Sequence, residues 1–309
     1  MDKEDYQKLK SNKKIQAKKS LGQNFLHSKT ALNKIISCSN LTNNDFVIEV
    51  GPGKGVLTEA ILGAGAQVVA IEKDARLIEL LNEKFESELE SGQLKIILGD
   101  ALTMEVIKKR KVFLVVDKDF TETGLRGDAN IEKNIVEINK DYKIIANIPY
   151  YITGALLRIF YEQVVKPTSV TVLVQKEVAD RIIARDSKES LLSLSIKFYG
   201  EPKKVMNVSK QSFKPAPRVD SAILFIQTHA KHLAKDSGKN TDLSVQGKFF
   251  DLIHRGFAHK RKVLRKNLID SGLPNEIVDE AFAEIKIAPL SRAEDINFLT
   301  WIHLTDRLY

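Results

Sequence analysis

The chain has 309 residues, of which 43% are hydrophobic and 28% charged, and its formal net charge is +8. This balance is typical of a globular protein with a substantial core, and the length predicts one large domain and one smaller domain. The single cysteine, Cys38, excludes a disulfide framework and a cysteine-based metal site, so no metal is expected. Because no apolar run could span a membrane or serve as a signal sequence, we expect a cytoplasmic protein without a membrane partner.

Positive charge is concentrated in two stretches. The first twenty residues contain seven lysines against three acids, and residues 255–266 contain six Lys or Arg and no acid. Residues 1–19 also lack hydrophobic periodicity, which indicates a flexible basic arm that either touches RNA phosphates or is simply solvated. Clustered positive charge of this kind favours a polyanionic partner.

A glycine-rich loop follows the first predicted strand. Phe46–Val50 is apolar and leads into the segment 51–55 (GPGKG), after which a helix begins. This arrangement brings a ligand close to the backbone at a helix N-terminus. A dinucleotide loop would need glycine where Val56 stands, and a phosphate loop would need Ser or Thr where Gly55 stands. The glycines instead suit S-adenosylmethionine, which has no pyrophosphate.

Acidic residues follow the next two predicted strands. The strand at 67–71 ends in Glu72, where a carboxylate can bind both hydroxyls of a ribose. The strand Leu94–Leu98 is followed by Asp100, which can accept a hydrogen bond from the amino group of an adenine. Either acid alone would be an ordinary feature of a strand end.

The apolar run at 142–145 predicts a further buried strand, which ends in the segment NIPYY at 147–151. The carboxamide oxygen of Asn147 and the neighbouring backbone carbonyl can accept both N–H bonds of an exocyclic amine, and Tyr150 offers a stacking face. A chance turn is an equal interpretation of these residues alone. Strand ends of an open parallel sheet share one edge, however, and four consecutive strand ends carry candidate ligand contacts: Gly51, Glu72, Asp100 and Asn147.

The segment 101–146 is longer than a simple crossover and predicts a hairpin-like excursion, with strands at 111–117 and 131–138 around a polar centre at 124–130. The remaining elements predicted before the linker are a helix at 153–163, the strand Ser169–Gln175, helices at 176–185 and 189–199, and strands at 203–208 and 220–227.

A proline-containing loop at 212–221 separates the last two strands. Because Pro215 and Pro217 hold the loop extended, we expect Phe213 to stay out of the core. It then forms a second aromatic wall opposite Tyr150. The alternative is a rigid turn with a packed phenylalanine, but the residues at the strand ends favour the wall.

Residues 229–245 are polar and predict a linker, followed by one helix at 249–268. Its apolar residues share one side, and we expect its opposite side to contact an RNA backbone through Arg255, His259, Lys262 and Lys266. The remainder is predicted to be helical, with Trp301 in the core.

The sequence resembles the ribosomal RNA small-subunit adenine dimethyltransferases, the KsgA/RsmA family, from about residue 20 to residue 300. The resemblance rests on LGQNFL at 21–26, EVGPGKG at 49–55, GDA at 99–101, NIPYY at 147–151, FKPAPRVDS at 213–221 and FAHKRKVLRKNL at 257–268. It departs from the family in an expanded 101–146 segment and in Lys260-Arg261-Lys262 where the family has an arginine pair.

The resemblance implies an α/β class I methyltransferase dependent on S-adenosyl-L-methionine. It would have a Rossmann-like, mostly parallel seven-stranded sheet and a small all-α C-terminal domain. The expected division is an arm at 1–19, a catalytic domain at 20–228, a linker at 229–245 and an RNA-binding domain at 246–309. The implied cofactor contacts are Asn24, Leu26, Gly51, Glu72, Asp100 and Asn147. The implied catalytic, base-binding residues are Asn147, Tyr150 and Phe213.

The activity implied by the resemblance is dimethylation of N6 of two adjacent adenosines in the 3′-terminal hairpin loop of 16S rRNA. The partner would be the immature small ribosomal subunit, late in its assembly, and we expect a monomer. One alternative is a large-subunit rRNA methyltransferase of the macrolide-resistance type, and another is a non-catalytic assembly factor. The basic C-terminal segment favours the small subunit, while Asn147, Glu72 and the glycines of 51–55 favour catalysis.

Overall fold

The computed structural model describes residues 16–108, 111–116, 135–139, 141–230 and 241–309. The predictions for most of the basic arm and for the polar centre of the excursion lie outside these residues, and so does most of the predicted linker. The described strands are β1 (Phe25–Leu26), β2 (Phe46–Val50), β3 (Gln67–Glu72), β4 (Leu94–Leu98), β5 (Glu105–Lys108), β6 (Val112–Val115), β7 (Ile135–Ile138), β8 (Tyr142–Asn147), β9 (Ser169–Gln175), β10 (Gly200–Val208), β11 (Phe213–Lys214) and β12 (Ser221–Thr228).

The described α-helices are α1 (Lys29–Ser39), α2 (Val56–Gly63), α3 (Ala75–Lys84), α4 (Glu86–Glu90), α5 (Thr153–Glu162), α6 (Lys176–Ile182), α7 (Leu191–Tyr199), α8 (Thr241–Gly256), α9 (Leu264–Asp270), α10 (Asn275–Ile285) and α11 (Phe298–Leu308). None of these helices has the combination of length and apolar composition that crossing a bilayer requires. Helices α3 and α4 follow each other directly and are divided at Phe85.

Seven strands form one sheet in the order β10-β12-β9-β8-β2-β3-β4. All neighbouring pairs are parallel except the two that involve β12. The chain order reverses between β2 and β8, which run side by side with Val50 opposite Ala146. In such sheets the ligand crevice opens at the carboxyl ends of the strands beside this switch point. The predicted sheet is confirmed.

Alternation along the strands sends side chains to the two faces of the sheet. Phe46, Ile48 and Val50 of β2 enter one buried cluster, while Val47 enters a second cluster on the other face with Ile61 of α2. Burial on both faces explains why the strands consist of nearly continuous apolar runs. The first cluster continues into the C-terminal helices, where Trp301 is fully buried, as predicted.

Strands β5, β6 and β7 form a separate antiparallel sheet. This sheet confirms the predicted excursion for the residues that the structure describes. The carboxamide of Gln163 anchors the excursion, because its Oε1 accepts a hydrogen bond of 2.6 Å from the backbone N–H of Val106. Buried side chains of the small sheet, including Leu114, join the first core cluster.

The prediction of one helix at 249–268 is wrong. Helix α8 ends at Gly256 and α9 begins at Leu264. Asn267 explains the interruption, since its Nδ2 donates to the carbonyls of Gly256 and His259 at 2.6 and 3.1 Å. Backbone N–H groups of a continuing helix would otherwise bond these carbonyls. The four basic residues that were expected on one helix face therefore lie on two helices and the turn between them.

Candidate active site

One cavity opens at the carboxyl edge of the sheet, beside the switch point. Its lining comes from the segments after β2, β3, β4 and β8 and from residues 21–26, which cross the mouth of the crevice. Seven of the residues predicted from the sequence line it: Asn24, Leu26, Gly51, Glu72, Asp100, Asn147 and Tyr150. The fold thus brings together residues that are up to 126 positions apart in the chain, from Asn24 to Tyr150.

The glycine loop after β2 forms one wall of the cavity. Gly53 has a φ of +60°, and a Cβ added there would lie 3.0 Å from the ring of Phe25. Its backbone N–H donates a hydrogen bond of 3.0 Å to Glu72. The loop therefore runs between an aromatic ring and a carboxylate, in a backbone conformation that L-residues with a Cβ rarely adopt.

Glu72 is held in a fixed position at the end of β3. The residue is 6% exposed, and its two carboxylate oxygens accept from the backbone N–H groups of Gly53 and Asp74. Burial raises the pKa of this carboxyl, although the two N–H donors act in the opposite direction. Each carboxylate oxygen keeps further acceptor capacity for a ligand hydroxyl.

Asp100 caps the short 3₁₀ turn that follows β4, because its Oδ1 accepts the backbone N–H of Leu102 at 3.0 Å. Its Oδ2 is 2.7 Å from Nζ of Lys73, a residue at the neighbouring strand end that also lines the cavity. Sequence analysis missed Lys73. The available signal was its position directly after Glu72, at the same sheet edge.

The segment 21–26 is fixed across the mouth of the cavity at several points. Nε2 of Gln23 donates to Asp74 at 2.9 Å, and the backbone carbonyl of Asn24 accepts from Nδ2 of Asn147 at 3.1 Å. Beyond these bonds, β1 pairs with β11 in a short antiparallel ladder. The sequence supplied only a resemblance for this segment, since the contacts depend on residues 51 and 123 positions away.

Asn147 and Tyr150 are each oriented by a partner. Because Nδ2 of Asn147 is engaged by Asn24, its Oδ1 is left as the acceptor, and none of the described residues donates to it. The Tyr150 hydroxyl lies 2.5 Å from the hydroxyl of Ser221, a fully buried residue, and burial raises the pKa of this tyrosine. Sequence analysis missed Ser221, although it closes the motif at 213–221.

The prediction that Phe213 stays out of the core and forms a wall of the cavity is wrong. Phe213 is absent from the cavity lining, is only 3% exposed, and belongs to the core cluster that contains Leu26 and Ile223. The prolines do not prevent this burial, because they follow Phe213 and leave it free to pair in β11 opposite Leu26. Strand alternation then directs its ring into the core.

The basic C-terminal residues differ in their partners. Arg255 pairs with Asp251 at 2.6 Å and also donates to the carbonyl of Ser271, and Lys262 pairs with Asp270 at 3.1 Å. Acids just outside 255–266 therefore neutralise two of the four predicted phosphate contacts. His259 and Lys266 are exposed, and neither forms an ion pair with a described residue.

The cavity fits S-adenosyl-L-methionine on structural grounds. Gly51 and Gly53 present bare backbone to the cavity, and the polar lining includes two carboxylates, Glu72 and Asp100, that suit ribose hydroxyls and amino hydrogens. Apolar side chains, including Leu57, Ile71 and Leu102, complete a pocket of the mixed character that nucleoside ligands need. The strand order and this arrangement of strand ends define a class I methyltransferase.

Comparison with known proteins places the chain more narrowly. The family model described as ribosomal RNA adenine dimethylase matches residues 14–309, so the chain belongs to that family. The chain is 37% identical over 288 residues to ribosomal RNA small subunit methyltransferase A of Dehalococcoides mccartyi. The aligned region covers 93% of this chain and 87% of that relative. The chain is 33% identical to the protein of that name from Oceanobacillus iheyensis, over 94% of this chain and 90% of the relative.

Solved structures agree on the fold. The 23S rRNA methyltransferase ErmE aligns with a TM-score of 0.69 at 22% identity, covering 92% of this chain and 99% of its own. A dimethyladenosine transferase from Plasmodium falciparum aligns with a TM-score of 0.65 at 22% identity, covering 91% and 95%. The protein is thus an rRNA adenine dimethyltransferase that uses S-adenosyl-L-methionine.

Proposed function

We propose that this protein dimethylates N6 of two adjacent adenosines in the 3′-terminal hairpin loop of small-subunit rRNA, acting as a monomer in the cytoplasm. Its partner is the immature small subunit late in assembly. The curated relatives are named small-subunit methyltransferases and cover more than nine-tenths of the chain, which supports the choice of subunit. The observation that carries the chemistry is the fixed carboxamide of Asn147, which lines the same cavity as Tyr150 and keeps its oxygen free of donors among the described residues.

Positioning of the target amine is the main task of the protein. S-adenosyl-L-methionine, when bound, supplies a methyl group already activated by its sulfonium. Oδ1 of Asn147 and the carbonyl of Ile148 accept the two N–H bonds of the adenine amine, which favours a pyramidal nitrogen as positive charge develops. Alignment of reacting groups in this way lowers a barrier by several kcal/mol.

Tyr150 holds the extruded base by stacking, which contributes about 1–3 kcal/mol per base. The bond to Ser221 fixes the ring at the cavity edge, so the ring need not be ordered when the base arrives. Glu72 binds the ribose of the cofactor, and Asp100 binds the amino group of its adenine. Asn24 and Leu26 complete the cofactor contacts. No side chain is required as a general base, since the proton leaves to water after transfer.

The decisive experiment is methyl transfer from labelled S-adenosyl-L-methionine to small subunits that lack the modification, with unmethylated large subunits in parallel. The expected result is label on the small subunit, recovered as dimethyladenosine at two adjacent positions. An Asn147→Ala variant should incorporate label at least about 100-fold more slowly, and a Lys203→Gln variant on the edge strand β10 serves as control.

The other outcomes are informative. Label on the large subunit alone would assign the protein to the large-subunit class. Tight binding of the small subunit without label on either subunit would indicate an assembly factor. Both results would overturn the proposal. Sedimentation of the complex would test the monomeric state.

A further inference from the structure

The loop at 214–220, which joins β11 to β12, begins at the rim of the cavity. In the ladder between β1 and β11, Leu26 lies opposite Phe213 and Phe25 opposite Lys214. Opposed residues of an antiparallel pair point to the same face. Leu26 and Phe213 are both buried in the core, so Phe25 and Lys214 share the opposite face. Phe25 and Leu26 both line the cavity, so Lys214 is paired with a lining residue although it does not line the cavity itself.

The other end of this loop is fixed beside Tyr150. Ser221 follows the loop directly and bonds the Tyr150 hydroxyl. The carbonyl of Asp220 accepts the backbone N–H of Lys176 at 3.0 Å, and its carboxylate accepts that of Lys210 at 2.9 Å. The loop therefore begins beside Phe25, in the segment that crosses the cavity mouth, and ends beside Tyr150, and both of these residues line the cavity.

The charge on this rim is positive and accessible. Lys214 and Arg218 are both exposed, and neither forms an ion pair with any residue in the described ranges. The one acid of the loop is Asp220, whose Oδ1 accepts the backbone N–H of Lys210, so the loop carries two cations against one acid. Nearby, Nζ of Lys54 lies 5.0 Å from the ring centroid of Phe25 and adds a third cation. Arg255 and Lys262 of the C-terminal segment, in contrast, are already neutralised.

We infer that the 214–220 loop is a phosphate clamp, in which Lys214 and Arg218 bind the RNA backbone on either side of the adenosine held in the cavity. This inference rests on the proposed function and adds the group that grips the substrate strand. A base cannot enter the cavity unless its backbone is drawn to the rim, and two unpaired cations there supply the attraction. Because the clamp contacts phosphates and not base edges, it can bind the backbone next to either of the two adenosines.

Salt dependence of binding provides the test, because each phosphate contact on a single strand contributes about 0.7 to the slope of log affinity against log salt concentration. Binding of unmethylated small subunits by the full chain is measured between 50 and 200 mM KCl at fixed magnesium. The variants are Lys214→Gln, Arg218→Gln, the double variant and Lys203→Gln, whose charge already pairs with Glu201 at 3.1 Å. Calorimetry with S-adenosyl-L-methionine monitors the cofactor site.

We expect the slope to decrease by about 0.7 in each single variant and by about 1.4 in the double variant, with no change in the control. Cofactor affinity should stay within twofold, which shows that the loop has not collapsed. An unchanged slope in both single variants would overturn the clamp, and so would a parallel loss of cofactor affinity. Failure of the proposed function appears separately, as absence of label with the wild-type chain. If the wild-type chain labels the large subunit instead, the same slopes are measured with the large subunit.

Discussion

Nδ2 of Asn147 donates a hydrogen bond of 3.1 Å to the backbone carbonyl of Asn24, so the loop after β8 and the segment across the cavity mouth are joined at one side chain. The bond selects one of the two orientations of the carboxamide and leaves the oxygen for the substrate. The residue that we propose to bind the base is thereby positioned by the segment that crosses the mouth of the cavity.

Replacement of Asn147 should therefore affect the chemical step and the substrate orientation. We expect Asn147→Ala to lower kcat by about 100- to 1,000-fold, as removal of one hydrogen-bonding group that stabilises a developing charge does elsewhere. Asn147→Asp should be no better, because it places a carboxylate oxygen against the carbonyl of Asn24. Single-turnover methylation of small subunits is the measurement. An Asp variant with near wild-type kcat would show that the orientation does not matter.

The hydroxyl pair of Tyr150 and Ser221 should behave as one unit. Tyr150→Phe and Ser221→Ala each remove the same bond, so the double variant should cost no more than either single variant. We expect each change to raise KM for the small subunit several-fold. Additive effects in the double-mutant cycle would mean that the two hydroxyls act independently.

The glycine loop offers a prediction with a matched control. Gly53→Ala forces a strained backbone at φ +60° and presses a methyl group against Phe25, so we expect cofactor affinity to fall at least tenfold. Gly63→Ala, at the end of α2, places its methyl group in open space and should leave affinity unchanged. Calorimetric titration with S-adenosyl-L-methionine measures both. Equal affinities would mean that the loop backbone can shift without cost.

Glu49 should make stability depend on pH. It is fully buried in β2, neither oxygen has a partner among the described residues, and burial raises its pKa to about 8. Between its ordinary value and pH 8 the folded chain holds a proton that the unfolded chain releases. The free energy of unfolding therefore falls as pH rises across this range, by roughly 5 kcal/mol at most.

Glu49→Gln removes that titration. Urea unfolding at pH 5, 6.5 and 8 should show the variant gaining stability relative to wild type as pH rises. All other groups are common to both proteins, so their contributions cancel in the difference. A constant difference across the three pH values would show that Glu49 is ionised in the folded chain.

Packing beneath the interrupted C-terminal helices can be tested at two glycines of α8. A Cβ at Gly256 would lie 2.3 Å from the ring of Trp301 and 2.9 Å from Leu264, so Gly256→Ala should destabilise the protein by about 1–3 kcal/mol. Gly247→Ala meets no atom within 4 Å and should stabilise it by about 0.5–1 kcal/mol. Thermal unfolding of both variants and of the wild-type chain measures these differences in stability. Destabilisation by both substitutions would show that α8 does not tolerate alanine at its glycine positions for a reason other than the contact with Trp301.

By itself, the sequence determined the sheet and most of the cavity. Its apolar runs are strands buried on both faces, and the residues after consecutive parallel strands must share an edge. The sequence therefore predicted that Gly51, Glu72, Asp100 and Asn147 lie together, and no information on long-range contacts was needed.

Only the tertiary structure decided which of the remaining residues face the cavity. Phe213 enters the core because β11 pairs with β1, and α8 stops at Gly256 because Asn267, eleven residues on, takes its carbonyl. Ser221 likewise acquires its role from Tyr150, 71 positions away. Hydrophobic periodicity predicts which face of a single helix or strand is buried. The burial of Phe213, the end of α8 and the partner of Ser221 depend instead on residues that are distant in the chain and become neighbours only in the folded protein.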